Sequence, residues 1–341
     1  MVQAKAPEPV IWINILWQRD YPPPRPTTYR NQKPRTHNRY DATRPQELDV
    51  DSKLPPLAKP GRLAHIRAMK DMPADHAVIP PAPRDYQGFN WAGFQTLYIR
   101  EIRRFWKVGM QTLAAPVVTA LLYMMVFVVA VRGAAPPIHG TAFATFVAPG
   151  LIMMQILNNA FANSSSSLLQ AKMNGLIGDF LTPPLTPLEH TAGFALGAAT
   201  RGIVVGAVTW VAVLPFAHLP IVHLWAVLYF GISAAAILGM LGIMAGLWSE
   251  KFDHMSAVTN FIIMPMTFLS GTFYLVDKLP EPFRSASHFN PFFYMIDGFR
   301  YGFIGHAEGS LVAGVGMTAG LVVAFSCICL WMFETGYKLK T

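Results

Sequence analysis

Six long apolar stretches constrain this chain most, because each is long enough to cross a bilayer as a single helix. A hydrocarbon core of about 30 Å requires about 20 residues at 1.5 Å per residue. The predicted spans cover residues 112–132, 143–163, 190–215, 223–247, 257–276 and 310–333. The sequence therefore predicts an all-α integral membrane protein with six transmembrane helices.

Charge and proline divide the chain into two parts. Charged residues make up 13% of the sequence, against about 25% in soluble domains. Residues 1–89 hold 14 of the 27 Lys and Arg residues and 15 of the 28 prolines, without a helical or strand period. We expect residues 1–89 to be a disordered, proline-rich cytoplasmic extension and residues 90–341 to be the membrane domain. The net charge of +8 lacks a basic-aromatic platform, so nucleic-acid binding is not predicted.

Residues 91–109 predict an amphipathic helix directly before the first span. Its apolar positions recur at helical spacing: Trp91, Phe94, Tyr98, Ile102, Phe105 and Gly109. Its polar face is predicted to hold Arg100, Glu101, Arg103, Arg104 and Lys107. A basic amphipathic helix with aromatic residues is typical of the membrane–water interface, and a soluble surface helix is the alternative.

Basic residues in the connecting segments predict the orientation of the spans. Eight lie on one side: Arg100, Arg103, Arg104, Lys107, Lys172, Lys251, Lys338 and Lys340. Four lie on the other: Arg132, Lys278, Arg284 and Arg300. The positive-inside rule therefore places both termini, and the segment NGLIGDFLTPPLTP at 174–187, in the cytoplasm.

Small residues spaced four apart predict close contacts between helices. The pairs are Gly193 with Gly197, Gly202 with Gly206, Gly242 with Gly246, and Gly316 with Gly320. Such pairs indicate packing and carry no chemistry of their own.

The chain contains no motif that would supply energy for transport. The interiors of the predicted spans lack Asp and Glu, which disfavours an ion-coupled carrier, and no phosphate-binding loop is present. An intramembrane enzyme would need a cluster of His, Asp or Ser, whereas histidine occurs in the predicted spans only at their edges, at His190 and His223. No metal or redox motif is found.

One charged residue lies deep in a predicted span. Arg201 is about eleven residues into the third span, where Arg costs roughly 2.5–3.5 kcal/mol on insertion scales. It either snorkels or pairs with Asn158 or Asn159, or it lines a path for an anionic substrate group. Both interpretations stay open.

The segment 269–305 is cut by prolines into pieces too short to cross a bilayer. We expect short helices that dip into the outer leaflet and return. Seven of its aromatic residues either form an interfacial belt or offer a stacking surface for cargo. They are Phe289, Phe292, Phe293, Tyr294, Phe299, Tyr301 and Phe303.

In this order, the segments resemble the membrane-spanning permease subunits of ABC-2 type transporters, in particular the YadH-like inner-membrane group. The resemblance covers about residues 90–341. It rests on the strings FVAPGLIMMQILNNAFANSSSSLLQAK at 146–172, ATRGIVVG at 199–206, FLSGTFYLVDKLP at 268–280 and NPFFYMIDGFRYGF at 290–303.

The resemblance implies a transport subunit of a bacterial inner membrane that binds no cofactor itself. ATP and Mg would be used by a separate ABC ATPase in two copies, and a second permease copy would complete a homodimer. An interfacial helix at 91–109, a coupling helix in 174–187 and re-entrant helices in 269–305 are also implied. The alternative is an ATP-independent channel or ion-coupled carrier.

The resemblance also assigns candidate site residues. The expected ATPase-coupling residues are Asn174, Leu176, Ile177, Asp179, Phe180, Leu181, Glu101 and Arg104. The expected residues of the translocation path are Asn158, Asn159, Arg201, Phe273, Tyr274, Phe293, Tyr294 and Arg300. The implied substrate is amphiphilic, lipid-linked or of the polysaccharide type, and the implied direction is export.

Overall fold

The computed structural model describes residues 88–130, 138 and 140–339. Except for Gly88 and Phe89, the predicted proline-rich extension lies outside this range. So do Val131 and Arg132, the last two residues of the first predicted span.

The described residues form eleven α-helices and no strand. In chain order these are α1 Trp91–Lys107, α2 Gly109–Ala130, α3 Phe143–Met173, α4 Ile177–Leu181, α5 Pro187–Val213, α6 Leu224–Trp248, α7 Phe252–Val258, α8 Met264–Phe268, α9 Phe283–Phe289, α10 Pro291–Ile304 and α11 Leu311–Thr335. A π-helical turn, Thr259–Ile263, joins α7 to α8, and Val276–Lys278 form a 3-10 turn.

Within the described ranges, five helices are long and apolar enough to span a membrane: α2, α3, α5, α6 and α11. Their bounds agree with five predicted spans to within a few residues, except that α3 continues ten residues further, to Met173. At 31 residues, α3 is about 46 Å long and exceeds a hydrocarbon core of roughly 30 Å. It therefore continues about three turns beyond the predicted span.

The predicted span 257–276 is wrong in its bounds. Helical structure starts at Phe252 and stops at Phe268, and the π-helical turn interrupts it. Pro265 explains that turn, because a proline ring clashes with the carbonyl four residues earlier and removes one donor, so the turn widens. Beyond Phe268 the chain reverses at Gly271, whose φ is +73°.

The core lies around α3 and α6, which are mostly buried, whereas α2 and α11 are mostly exposed. Glycine allows the close approach of helices here. A Cβ at Gly246 would lie 2.9 Å from the Ser165 carbonyl oxygen, and one at Gly202 would lie 2.9 Å from the Ile156 carbonyl oxygen. The predicted contact at Gly316 and Gly320 is not found, because no described atom lies within 4 Å of a Cβ at either position.

The bundle has two ends, a linker end and an opposite end. The linker end carries residues 174–187 between α3 and α5, and Lys338 contacts Glu250 there at 3.1 Å. The opposite end carries residues 214–223, 269–282 and 305–310. Between Lys251 and Thr272 the chain passes from the linker end to Gly150, near the start of α3.

Candidate coupling and translocation site

The face of α1 that packs on α5 is formed by Leu97, Glu101 and Phe105, one turn apart, and all three are buried. The exposed residues of the other face include Arg100, Arg103 and Lys107. The prediction that Glu101 shares this polar face is therefore wrong. Burial of its carboxylate is possible because neighbouring helices supply hydrogen-bond donors.

Two glycines of α5 allow α1 to approach closely. A Cβ at Gly193 would lie 2.7 Å from Cδ2 of Leu97, and one at Gly197 would lie 2.7 Å from Cβ of Glu101. These separations are shorter than van der Waals contact, so a larger side chain would push α1 away. The glycine pair predicted from sequence thus forms the surface of α5 on which α1 packs.

Glu101 and Arg104 tie α1 to the long end of α3. Oε1 of Glu101 accepts a hydrogen bond from the Ser167 hydroxyl at 2.7 Å, and Oε2 accepts one from Nδ2 of Asn163 at 3.4 Å. Arg104 lies 3.3 Å from Oε2 and donates to the Asn163 carbonyl oxygen at 2.6 Å and to the Ser166 hydroxyl at 3.2 Å. Together these contacts form the α1–α3 clamp, defined by Glu101, Arg104, Asn163, Ser166 and Ser167.

The start of α1 is bound to the end of the linker. The Asn90 backbone N–H donates to the Glu189 carboxylate, and Nδ2 of Asn90 donates to the Pro184 carbonyl oxygen at 3.3 Å. Glu189 also accepts from the Thr186 N–H at 2.7 Å, while the Thr186 hydroxyl accepts from the Glu189 N–H at 3.3 Å. This capping box starts α5 and joins α1, the linker and α5 at one carboxylate.

The linker presents a short helix, α4, beyond the end of α3. The exposed predicted coupling residues are Asn174, Leu176 and Asp179. Ile177 is half-buried and packs against the core at this end. The side chains of Phe180 and Leu181 lie outside the described part of the structure. Leu176 keeps 46% of its surface exposed among the described residues, so it offers an apolar contact surface.

A groove of about 450 Å³ separates the linker from α1. Arg100 of α1 lines it opposite Asp179 of α4, and Pro183 and Leu185 form its apolar wall. Burial lowers the pKa of Arg100, while the neighbouring carboxylate of Glu101 acts in the opposite direction. The groove combines charge and apolar surface, as protein contact sites do.

Inside the bundle, Arg201 of α5 has one hydrogen bond to a side chain. Its Nη2 donates to Oδ1 of Asn159 at 3.3 Å, and Nδ2 of Asn159 donates to the Gln155 carbonyl oxygen at 3.0 Å. Nε of Arg201 is buried without a partner, and none of the four ion pairs within the described ranges includes this residue. Asn158, the other predicted path residue here, is half-buried. The guanidinium is therefore only partly satisfied.

At the opposite end, Arg300 of α10 is almost fully buried and has several partners. Nη1 donates to Glu308 at 3.0 Å, and Nη2 donates to the Gly271 carbonyl oxygen at 2.6 Å. The guanidinium also lies 3.9 Å from the centre of the Phe146 ring. The predicted path residue Arg300 thus joins four segments of the chain: α10, α3, the turn at Gly271 and, through Glu308, residues 305–310.

Two carboxylates complete this group of contacts, the opposite-end cluster, defined by Asp297, Arg300 and Glu308. Asp297 accepts from the backbone N–H groups of Glu308 at 3.0 Å and Gly309 at 2.9 Å. Glu308 accepts from the Val276 N–H at 2.8 Å. Burial raises the pKa of Glu308 to about 7, although the nearby Arg300 charge acts against this rise.

The four predicted aromatic path residues make local packing contacts at the opposite end. Phe273 stacks on Phe127 with ring centres 4.6 Å apart, and the Tyr274 hydroxyl donates to the Phe268 carbonyl oxygen at 3.0 Å. Phe293 is buried and meets Tyr294 edge-on. In this structure Phe273 and Phe293 serve the packing of the opposite end, and Tyr274 and Tyr294 are half-buried.

Comparison with known proteins decides the family. The model of the family described as ABC-2 type transporter matches residues 92–304, more than half of the chain. This chain belongs to the ABC-2 type transporter family. The matched residues begin in α1 and end with α10. They include the clamp, the linker, Arg201 and two of the three residues of the opposite-end cluster.

Named relatives agree with this assignment. The inner membrane transport permease YadH of Escherichia coli strain K12 is 34% identical over 252 residues, covering 74% of this chain and 98% of that protein. Nodulation protein J of Rhizobium leguminosarum bv. viciae is 24% identical over 197 residues, covering 54% of this chain and 72% of that protein. The resemblance inferred from sequence is confirmed, and the chain is an ABC transporter permease subunit and a multi-pass inner membrane protein.

Several residues that make these contacts in the ABC-2 permease were not predicted from the sequence. The missed residues are Asn90, Asn163, Ser166, Ser167, Glu189, Asp297 and Glu308. One signal was available, because Thr186 and Glu189 have the spacing of a capping box. In the described part of the permease, no group of three His, Cys, Asp or Glu residues could hold a metal ion.

Proposed function

We propose that this permease, as a homodimer with two copies of a separate ABC ATPase, forms the translocation path of an ATP-driven exporter. The proposed substrate is amphiphilic, lipid-linked or of the polysaccharide type. The observation that carries the proposal is the α1–α3 clamp together with the Asn90–Glu189–Pro184 contacts. They connect the exposed linker to a helix that crosses the whole bundle.

These contacts support a path for force from the linker into the spans. A push on the linker reaches α5 through the capping box at Thr186 and reaches α1 through Asn90. From α1 it passes to α3 through a buried carboxylate, a contact that is expensive to break in an apolar environment. A rigid-body shift of α1 with the linker would therefore move α3 and α5 together.

The proposed orientation places the linker end in the cytoplasm, with both termini there. The basic residues Arg100, Arg103 and Lys107 on the exposed face of α1 favour this side. An even number of crossings requires that residues 252–268 also cross, as the passage of the chain from Lys251 to Thr272 suggests. The segment 269–304 would then form the re-entrant outer part, with α10 returning along α6 from Phe230 to His223.

Arg201 supports a path for substrates that carry an anionic group. A partly satisfied guanidinium inside an apolar bundle attracts a carboxylate or phosphate more strongly than it would in water. Asn159 orients this guanidinium through the hydrogen bond at 3.3 Å. We propose that the anionic group of the substrate enters past the exposed face of α1, the helix that precedes the first span.

Matched aspartate substitutions at the two ends of the bundle test the proposal. Leu176→Asp places a charge on the linker, where 46% of the leucine surface is exposed, and Val222→Asp does the same at the opposite end, where 51% is exposed. We expect Leu176→Asp to reduce co-purification of the ABC ATPase at least tenfold and Val222→Asp to leave it unchanged. Equal recovery of the ATPase with both variants would contradict the assignment, and transport without any ATPase would favour a channel or carrier.

A further inference from the structure

A shallow groove of about 630 Å³ runs along the exposed side of α1 and is named here the basic groove. Of the six described residues that line it, four carry a positive charge and none is a carboxylate. The lining residues are Thr96, Ile99, Arg100, Arg103, Arg104 and Lys107. A surface with this charge attracts an anion and repels a cation.

No carboxylate of the described chain pairs with two of the cations in the basic groove. Arg103 and Lys107 are exposed and take part in none of the four ion pairs within the described ranges. The acidic residue of α1, Glu101, lies on the buried face and is held in the α1–α3 clamp. Because Arg103 and Lys107 are four residues apart, they share one face of the helix. Their two charges are available to the same ligand.

A third cation, Arg104, anchors the basic groove to the bundle. Its guanidinium donates to the Asn163 carbonyl oxygen at 2.6 Å and to the Ser166 hydroxyl at 3.2 Å. The backbone that carries Arg103 and Lys107 is therefore fixed before any ligand binds, which lowers the entropic cost of binding.

The basic groove lies where a membrane-spanning helix begins. Lys107 is the last residue of α1, and α2, which is long and apolar enough to span a membrane, begins at Gly109. Trp106 and Met110, on either side of this junction, are exposed. Tryptophan and basic residues at the end of a span are typical of the membrane–water interface, the level at which lipid phosphates lie.

We propose that the basic groove binds the phosphate headgroup of an anionic glycerophospholipid, with its phosphate oxygens accepting hydrogen bonds from Arg103 and Lys107. Clusters of Lys and Arg beside a span attract anionic lipids. A zwitterionic lipid is disfavoured because its ammonium group would meet the same cations. The site requires neither the ABC ATPase nor a transported substrate, so it is independent of the function proposed above.

Native mass spectrometry of the full-length permease in detergent tests the site, with phosphatidylglycerol and phosphatidylcholine as probes. The groove variant combines Arg103→Gln with Lys107→Gln, and it should fold as the wild type does because both side chains are exposed. The control combines Lys251→Gln with Lys278→Gln, which removes the same net charge from exposed positions outside α1.

We expect the wild type and the control to prefer phosphatidylglycerol over phosphatidylcholine. The groove variant should bind phosphatidylglycerol about 30-fold more weakly, about fivefold for each charge removed. Equal affinity of the groove variant and the control for phosphatidylglycerol would overturn the proposal.

Two further measurements separate the anionic lipid from other anionic partners. Inorganic phosphate should not displace phosphatidylglycerol, because the acyl chains also contribute to lipid binding; displacement would show that the groove binds a free anion and would overturn the lipid site. The groove variant should also recover as much ABC ATPase as the control. Reduced recovery of the ATPase with unchanged lipid affinity would assign the groove to that partner instead.

Discussion

The Glu101 carboxylate on α1 accepts a hydrogen bond from the Ser167 hydroxyl on α3 at 2.7 Å, across 66 positions of sequence. Glu101 is fully buried, and Arg104 at 3.3 Å supplies the opposite charge. The helix that precedes the first span is thereby fixed to the longest helix of the bundle. Loss of this contact should affect both stability and coupling.

Replacement of Glu101 by Gln should lower the free energy of unfolding by about 3 kcal/mol, because it removes one charge of a buried pair. Ser167→Ala should lower it by about 1 kcal/mol, the net value of one hydrogen bond. Thermal unfolding in detergent measures both. The control is Glu334→Gln, an exposed residue of α11, and a Glu101→Gln variant as stable as this control would show that the clamp contributes nothing.

Gly197→Ala should destabilise the permease by about 1–3 kcal/mol, because its Cβ would lie 2.7 Å from Cβ of Glu101. Gly316→Ala provides the matched control, since no described atom lies within 4 Å of its Cβ. Alanine is a better helix former than glycine, so Gly316→Ala should be neutral or stabilising by up to about 1 kcal/mol. Similar melting temperatures for the two variants would argue against the close packing of α1 on α5.

Arg201 and Arg300 should respond in opposite ways to replacement by Met. Arg300 has a carboxylate partner at 3.0 Å, so Arg300→Met leaves Glu308 buried without its cation and should cost about 3–5 kcal/mol. Nε is unpartnered in both arginines, but Arg201 takes part in none of the ion pairs among the described residues and has one side-chain bond, at 3.3 Å. Arg201→Met should therefore raise the melting temperature while it lowers transport of an anionic amphiphile. A lower melting temperature for Arg201→Met, with transport intact, would assign this residue to structure alone.

The contribution of Glu308, in the opposite-end cluster, to the free energy of unfolding of the permease should fall as pH rises from about 4.5 to about 7. Burial raises the pKa of Glu308 to about 7, so the folded permease holds a proton in this range that the unfolded chain releases. The contribution is fully present below the unfolded pKa and is lost as pH passes the folded pKa. Melting temperatures of wild type and Glu308→Gln between pH 4.5 and pH 8 test this, because the variant should lack the Glu308 part of the slope, and parallel curves would contradict it.

Much of the fold could be predicted from sequence because membrane helices are specified locally. Hydropathy and length located α2, α3, α5, α6 and α11 to within a few residues at most ends. The bounds predicted for the span 257–276 were wrong because hydropathy does not detect the break that Pro265 and Gly271 impose on the backbone. The extra length of α3 was missed because its last turns are rich in polar residues, so hydropathy does not show that the helix continues.

The candidate site was harder to predict because its contacts join distant segments. The spacing of four revealed the glycines that face Leu97 and Glu101, but it did not show that α1 is the helix that packs against them. Glu101 was expected on the polar face of α1, since helical periodicity cannot show that Ser167 and Asn163 would satisfy a buried carboxylate. Likewise, nothing in the local sequence pairs Arg300 with Glu308.

The most direct test of the central claim is a distance measurement between the two permease copies during ATP binding. Nitroxide labels at Val222→Cys, in a chain with Cys327 and Cys329 replaced by Ala, report the opposite end by pulsed electron paramagnetic resonance. We predict that a non-hydrolysable ATP analogue changes this distance only when the ABC ATPase is present, and that Leu176→Asp abolishes the change. A change without the ATPase, or an undiminished change in Leu176→Asp, would contradict the account.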